Sequence, residues 1–422
     1  MAARGGDGGR CNDGCSGWIQ AMSMNARTTV TAKSTTYKGL SFRTLPAMMA
    51  HGELRLLPLI IVLLVVWMVM QYLTGGLFLS ARNLTNLSGQ VAITAMLTCG
   101  AVLLMIPGFI DLSLGATVAA AAVVAALAGV NLELSLWPTI LVTLGFGLLI
   151  GFWHAFWIAW MKVPSFIVTL GSLLAIRGLS LVITNAETIS PNPDILVISD
   201  TSLSPMLSAV VLMGFWLAFA LLQMREWRAR QQAGIQSAFL SVVGIPVASV
   251  GIFACGVTIV AVSYRGLPLP VVFVLAVVAV TGWLLRYTAF GRRLYAIGGN
   301  RQAALLAGIN IRTHVSLVFA FMGLLYGLAG LVLVARLDSA PPGAMQGLEL
   351  NVIAAAVIGG TSLMGGRGTV AGAVIGAILM ESLSNGMSLM NLPSAYQSIT
   401  VGLVLLFAVY ADMRGRGGRF GD

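Results

Sequence analysis

Few residues in this chain are equipped for chemistry. Within its long apolar stretches the ionisable side chains are Asp111, Arg177 and Glu381, each near an expected helix end. Polar groups near expected helix ends or breaks are Thr169, Asn185, Asn351, Thr361, Ser362, Asn385 and Gln397. Hydroxyls and amides exchange hydrogen bonds without fixed charge, which suits the passage of a neutral, polyhydroxylated molecule. Each one alone reads first as a satisfied bond between helices and only second as a pathway ligand. Asp111 follows Pro107-Gly108 and precedes Leu112-Ser113, so its carboxylate has two readings. It either caps the free amides of the next helix or stands on a substrate path or subunit interface.

The means of driving such a path are missing. No G-x-x-x-x-G-K-[ST] motif occurs, and none of the three lysines, Lys33, Lys38 and Lys162, follows a glycine-rich loop. A phosphate cradle of the P-loop kind is therefore excluded. Carriers coupled to protons or sodium usually keep ionisable groups deep in their helices, and their sparsity here favours a path driven from outside the chain. Cys11 and Cys15 have too few companions for a metal site, and with Cys99 and Cys255 they read as four unpaired thiols.

One segment stands apart. Residues 290–309, FGRRLYAIGGNRQAALLAGI, interrupt the apolar sequence without an acidic residue. Arg292 and Arg293 form a basic entry, Gly298-Gly299 a break, and Asn300 an N-cap for a short helix from Arg301 to about Leu306 that ends near Gly308. Its apolar face, Ala303, Ala304 and Ala307 with Leu305 or Leu306, suits a groove on another protein, because small residues permit close approach. The plain alternative is a basic loop that only sets topology.

The elements that must position these groups follow from composition. Hydrophobic residues make up 58% and charged residues 9% of the 422, with a mean hydropathy of +0.93. A soluble domain cannot hide so much apolar surface. Stretches near the roughly 20 residues a helix needs to cross the hydrocarbon fall at 58–74, 90–108, 111–129, 136–160, 165–184, 205–223, 239–262, 268–285, 315–335, 369–385 and 396–412. The piece 350–363 is shorter and either spans or re-enters. Without the alternation of barrel strands, the pattern predicts an all-α polytopic bundle of 10–12 membrane helices. Gly368, Gly372 and Gly376 recur every four residues, as do Gly147/Gly151 and Gly323/Gly327, and such spacing makes a face for close helix packing.

The net charge of +10 reads as a topology signal rather than as a sign of nucleic acid. Arg4, Arg10, Arg27, Lys33, Lys38, Arg43 and Arg55 precede the first span, against Asp7, Asp13 and Glu53. Counting twelve crossings from a cytoplasmic N-terminus leaves Lys162, the Arg225/Arg228/Arg230 cluster, residues 286–314 and a tail at 413–422 inside. The loop 186–204, with Glu187, Asp194 and Asp200 and no Lys or Arg, falls outside. Residues 1–50 read as a disordered cytoplasmic extension without the apolar core of a signal peptide.

Several ordered stretches carry a family resemblance: SARNLTNL (80–87), FIDLSLG (109–115), KVPSFIVTLG (162–171), RGLSLVITN (177–185), AFGRRLYAIGGNRQAALLAGINI (289–311), AAAVIGGTSLMGGRGTVAGAVIGA (354–377) and SNGMSLM (384–390). Across most of 55–412 the chain resembles the membrane permease of bacterial monosaccharide ABC importers of the ribose/xylose/arabinose/galactose group. It is most similar to the xylose type, because an extra hydrophobic pair at about 205–262 lengthens it. The resemblance implies a permease homodimer in the bacterial inner membrane around one path for a monosaccharide, foremost D-xylose. It also implies a cytoplasmic ABC ATPase that binds the ATP and Mg, with no cofactor in this chain, and a separate periplasmic sugar-binding protein. It implies a fold of the vitamin-B12-importer type as well, and with a partner ATPase below, the capped basic segment at 286–314 reads as the element that couples to it. Asn351 and Glu381 depart from the family pattern, where an acidic and a small or apolar residue are usual. An ion- or proton-coupled secondary sugar transporter is the alternative, followed by a passive channel.

The arginine pattern makes a direct prediction. A membrane-impermeant thiol reagent added outside should modify Asp194→Cys and spare Gln302→Cys, and the reverse labelling would overturn the topology.

Overall fold

The computed structural model describes residues 57–234 and 238–415. In chain order the helices are α1 (Leu57–Leu73), α2 (Ala81–Met105), α3 (Leu114–Val130), α4 (Leu136–Ala155), α5 (Ser165–Ile183), α6 (Val197–Asp200), α7 (Pro205–Gln232) and α8 (Ile245–Ser263). They continue as α9 (Leu269–Tyr287), α10 (Ala289–Gly299), α11 (Arg301–Leu306), α12 (Ile311–Leu337), α13 (Leu348–Ile358), α14 (Val370–Leu389) and α15 (Ser394–Gly415). Among the described residues the only pairings of strand type are two isolated bridges, Ile189 with Ala340 and Ser202 with Pro268. The protein is an all-α polytopic bundle. Among the described residues eight helices are long and apolar enough to cross a membrane: α2, α4 with its π-helical continuation Phe156–Trp160, α5, α7, α8 with the turn before it, α9, α12 and α14. The N-terminal extension 1–50, Cys11, Cys15 and residues 416–422 lie outside the described residues; α15 runs to Gly415, further than the expected tail boundary allows. Cys99 is buried and Cys255 exposed, both as free thiols.

α12 is the centre. Apolar on nearly all sides, it is buried along most of its length from Val315 to Ala335, as a helix without a polar face must be. α4 crosses it where neither has a side chain: a Cβ on Gly147 would strike the backbone of Gly323 and Gly327, and one on Gly151 would strike Phe319 and Gly323. On the other flank Gly330 lies against Ala121 of α3. Lipid supplies no hydrophobic drive between helices, so such close contact is what holds them.

The short piece after α12 needs separate treatment. α13 has 11 residues, about 16 Å of helix against a hydrocarbon layer of about 30 Å. The stretch 338–369 nevertheless traverses the bundle. The Ala340 amide donates to Ile189 O at 2.8 Å at one end, and the Gly366 amide donates to Ile106 O at 2.8 Å at the other. Non-helical backbone is tolerated at such depth where protein covers it, and Ala340, Thr361 and Ser362 are buried. α3 is also preceded by an irregular stretch, 107–113, whose Asp111 and Ser113 are buried. Among the described residues the chain thus makes twelve passes from α1 to α15, the tenth by a half-length helix with irregular flanks.

α13 rests on α14 through two of the expected glycines. A Cβ on Gly372 would strike Gly359 O, and one on Gly376 would strike Ala355 O. Gly368 is a correction: it precedes α14, which starts at Val370, and so shares no helix face with them. α7 and α8 sit at the periphery, joined to each other by the Trp216 indole N–H donating to Val247 O at 3.0 Å. Gly372→Leu should overpack the α13–α14 contact by about 1–3 kcal/mol and lower the thermal midpoint of the detergent-solubilised protein. An unchanged midpoint would mean that α13 does not bear on Gly372.

Candidate functional site

The basic segment 288–310 folds as two helices. The Thr288 hydroxyl accepts the Gly291 amide at 3.2 Å and starts α10. α10 buries Leu294 and Ile297 and exposes Arg292 and Arg293. Helix continues through Gly298 and Gly299, so the expected break there is a correction: the break is at Asn300, at φ −156°. Asn300 then caps α11 as expected, its Oδ1 accepting the Ala303 amide at 2.9 Å, and Gly308 ends the turn at φ +76°.

Gly298 is where three segments meet. A Cβ there would strike Ile106 O and the Gly366 amide, the two groups already bonded to each other. Tyr295 adds a second tie, its hydroxyl donating to Gly368 O at 2.7 Å, and burial pushes its phenol up from the ordinary value, which keeps the donating proton in place. α10 is thus fastened to both irregular stretches, the one after α2 and the one before α14. Ala304 is a further correction. At 3% exposure it packs into its own chain, whereas Leu306 is 91% exposed, so the outward face of α11 is formed by Ala303, Leu305, Leu306 and Ala307.

Asp111 lies in the irregular stretch before α3, buried. Its Oδ1 accepts the Ser113 amide at 2.8 Å and the Ser113 hydroxyl at 2.7 Å, and the Tyr326 hydroxyl of α12 donates to Oδ2. The capping reading is a correction: Asp111 reaches none of the free amides of α3 and satisfies only Ser113, just ahead of the helix. His154 of α4 packs edge-on against Phe319 and Tyr326.

The densest polar grouping runs between α2 and α14. Asn83, Asn86, Gln90 and Thr94 stand three or four residues apart and so share one face of α2. Asn83 Nδ2 donates to Asn385 Oδ1 at 2.9 Å, Asn385 Nδ2 to Gln90 Oε1 at 3.4 Å, and the Thr94 hydroxyl to Glu381 Oε1 at 2.6 Å. Arg336, near the end of α12, donates to Asn86 Oδ1 at 3.5 Å and lies within Coulombic reach of Glu381. The Trp67 indole closes one side, donating to Ser382 Oγ at 2.9 Å. Amides, hydroxyls and one pair of opposite charges make a surface that exchanges hydrogen bonds in either sense.

Of the six residues expected on a path, the structure brings only Asn385 into this seam. The Thr169 hydroxyl bonds within its own helix, to Ser165 O at 3.0 Å. Asn185 is exposed in a loop at φ +51°, and Asn351 stands in the first turn of α13. Gln397 staples the α14–α15 connection, donating to Ser388 Oγ at 3.2 Å and Leu392 O at 3.3 Å. Asn83, Asn86, Gln90, Thr94 and Arg336 were missed, although the spacing of the first four was readable. Among the described residues no three His, Cys, Asp or Glu side chains gather as a metal would need.

Tyr326→Phe removes a donor from a buried carboxylate and should cost about 1–3 kcal/mol, read as a lowered denaturation midpoint in detergent. A midpoint equal to the parent's would show that Asp111 finds its partners elsewhere.

Comparison with known proteins places this geometry. Residues 83–409 match the family model described as branched-chain amino acid transport system, permease component. The xylose transport system permease protein of Escherichia coli K12 is 43% identical over 362 residues, covering 85% of this chain and 92% of its own. That of Haemophilus influenzae is 42% identical over 341 residues, covering 80% and 91%. The ribose import permease protein of Escherichia coli K12 is 32% identical over 336 residues, covering 79% and 87%. No solved structure matches the chain. With that family model running from the first polar residue of the α2 seam through most of α15, the chain belongs to the branched-chain amino acid transport system permease family.

Proposed function

We propose that this protein is the membrane permease of an ATP-binding cassette importer that carries a monosaccharide, foremost D-xylose, across the bacterial inner membrane. The observation that carries the reading is its nearly full-length likeness to two xylose permeases. The chain is a transport subunit, and ATP with Mg belongs to a partner ATPase. The 288–310 end faces the cytoplasm with both termini, and the loop 186–204 faces the periplasm, where a separate sugar-binding protein delivers the substrate. Two copies of the chain enclose the path.

The geometry gives each part a physical task. Leu305 and Leu306 project from a capped helix into solvent, the presentation a groove on an ATPase requires. Behind them, α10 is tied to Ile106 and Gly368, so movement of the platform reaches the bundle through backbone contacts. The α2–α14 seam offers a sugar hydroxyl both donors and acceptors in the half of the bundle away from the platform. The Glu381–Arg336 pair is the feature that favours the second reading, an ion-coupled sugar carrier, since ionisable groups inside a membrane are commonly functional.

Reconstitution with the partner ATPase and binding protein separates the two. Labelled xylose uptake should require ATP hydrolysis and should be competed more strongly by xylose than by ribose, arabinose or galactose. Accumulation driven by an ion gradient with no ATPase present would establish the carrier instead. Leu306→Glu should leave insertion intact while weakening ATPase association and ATP-driven uptake by about tenfold or more, as loss of a central apolar anchor does; unchanged association would show that α11 is not the docking element.

A further inference from the structure

α7 is longer than a membrane crossing needs, and one of its ends is fixed. Near Pro205 the Leu203 amide donates to Leu267 O at 2.9 Å, the Leu269 amide to Thr201 O at 3.0 Å, and the Leu267 amide to Ser208 Oγ at 2.8 Å. The helix has 28 residues, about 42 Å, and the roughly 30 Å of a hydrocarbon layer is used up near Arg225. The surplus turns therefore emerge at the other end, which is also the end that bears the 288–310 platform, and they carry Arg225, Glu226, Arg228 and Arg230.

These charges divide by face. Glu226 pairs with Arg230 on its own helix at 2.6 Å and with Arg286 of α9, and Arg286 also donates to Gln223 Oε1 at 3.1 Å. Arg225 and Arg228 are exposed and have no acidic partner among the described residues. At 100° per residue Arg228 lies on the same stripe as Val210, Leu217 and Leu221, with Arg225 beside it. Those three apolar side chains are 59%, 54% and 55% exposed. One helix face thus presents an acyl-chain-length apolar stripe ending in two unpaired guanidinium groups at the depth of the headgroups. Topology alone asks for positive charge at this end, but not for an alignment with the exposed stripe.

We propose that Arg225 and Arg228 form a headgroup site for an anionic phospholipid whose acyl chains lie along Val210, Leu217 and Leu221. Arginine forks match phosphate oxygens, and juxtamembrane cations bind anionic lipid through the surface field. The site is independent of the sugar path and of the ATPase contact.

Native mass spectrometry of the full chain in detergent tests it, with phosphatidylglycerol and phosphatidylcholine of equal chain length as competing probes. The parent should retain phosphatidylglycerol preferentially, and the double variant Arg225→Gln/Arg228→Gln should lose that preference by roughly 10- to 30-fold. Arg230→Gln, whose charge is engaged by Glu226, should keep it. Inorganic phosphate at the same concentration should not displace the lipid, because the apolar stripe contributes to binding. Equal retention of both lipids by the parent would overturn the proposal whatever the variants do. So would retained preference in the double variant, an equal loss in Arg230→Gln, or displacement by phosphate, which would make this a site for a free oxyanion.

Discussion

The crossing of α4 and α12 carries the rest of the structure. Gly147 and Gly151 on one helix and Gly323 and Gly327 on the other bring backbone against backbone, and any side chain at these positions would push the helices apart. In lipid that separation has no hydrophobic compensation, since a hydrocarbon tail is as apolar as a leucine. The crossing sets the position of Tyr326, and Tyr326 holds Asp111. Asp111 in turn serves the amide of Ser113, in a stretch that helix hydrogen bonding does not reach. Without a partner, a backbone group at that depth would cost several kcal/mol.

A similar economy of backbone contacts joins the platform to the bundle. Ile106 O, the Gly366 amide and Gly298 meet with no side chain between them, and Tyr295 binds Gly368 O nearby. Just past Gly368 begins α14, capped by the Thr369 hydroxyl on the Gly372 amide. The same helix carries Glu381, Ser382 and Asn385 into the polar seam, about 22 Å from its start at Asn385. One uninterrupted helix therefore runs from the contact with the platform to the polar groups at the far half of the bundle. α13, seated on Gly372 and Gly376, stiffens its lower half.

The seam shows how a membrane interior accommodates polar side chains. Asn385 bonds to both Asn83 and Gln90, Thr94 donates to Glu381, Arg336 donates to Asn86, and Trp67 donates to Ser382. Mutual satisfaction lets these groups stay out of bulk water, while the half-buried Gln90 and exposed Asn86 keep part of the surface open. α7 and α8 lie outside this arrangement, and their exposed apolar surface leaves lipid as the solvent for that side of the chain.

Hydropathy along the chain was enough to locate most of the crossing helices, because a span must be largely apolar, but it missed the polar first turns of α2 and left the short pass through α13 open. The α11 cap was equally legible, since Asn300 and Gly308 act within a few residues of themselves, and so were Gly372 and Gly376, whose four-residue spacing places them on one face of any helix. Facing was not legible. A six-residue helix is too short for a periodic stripe to mark its buried direction, so Ala304 looked like an outward contact although its own chain covers it. Gly298 looked like a break, because a glycine's need to be small comes from its neighbour, here Ile106, nearly two hundred residues away. The seam partners Thr94 and Glu381, 287 positions apart, meet only through the packing of α2 on α14. Local geometry depends on near neighbours and can be read in order along the chain, whereas which polar groups share a cavity depends on how helices cross, and only the tertiary structure decides that.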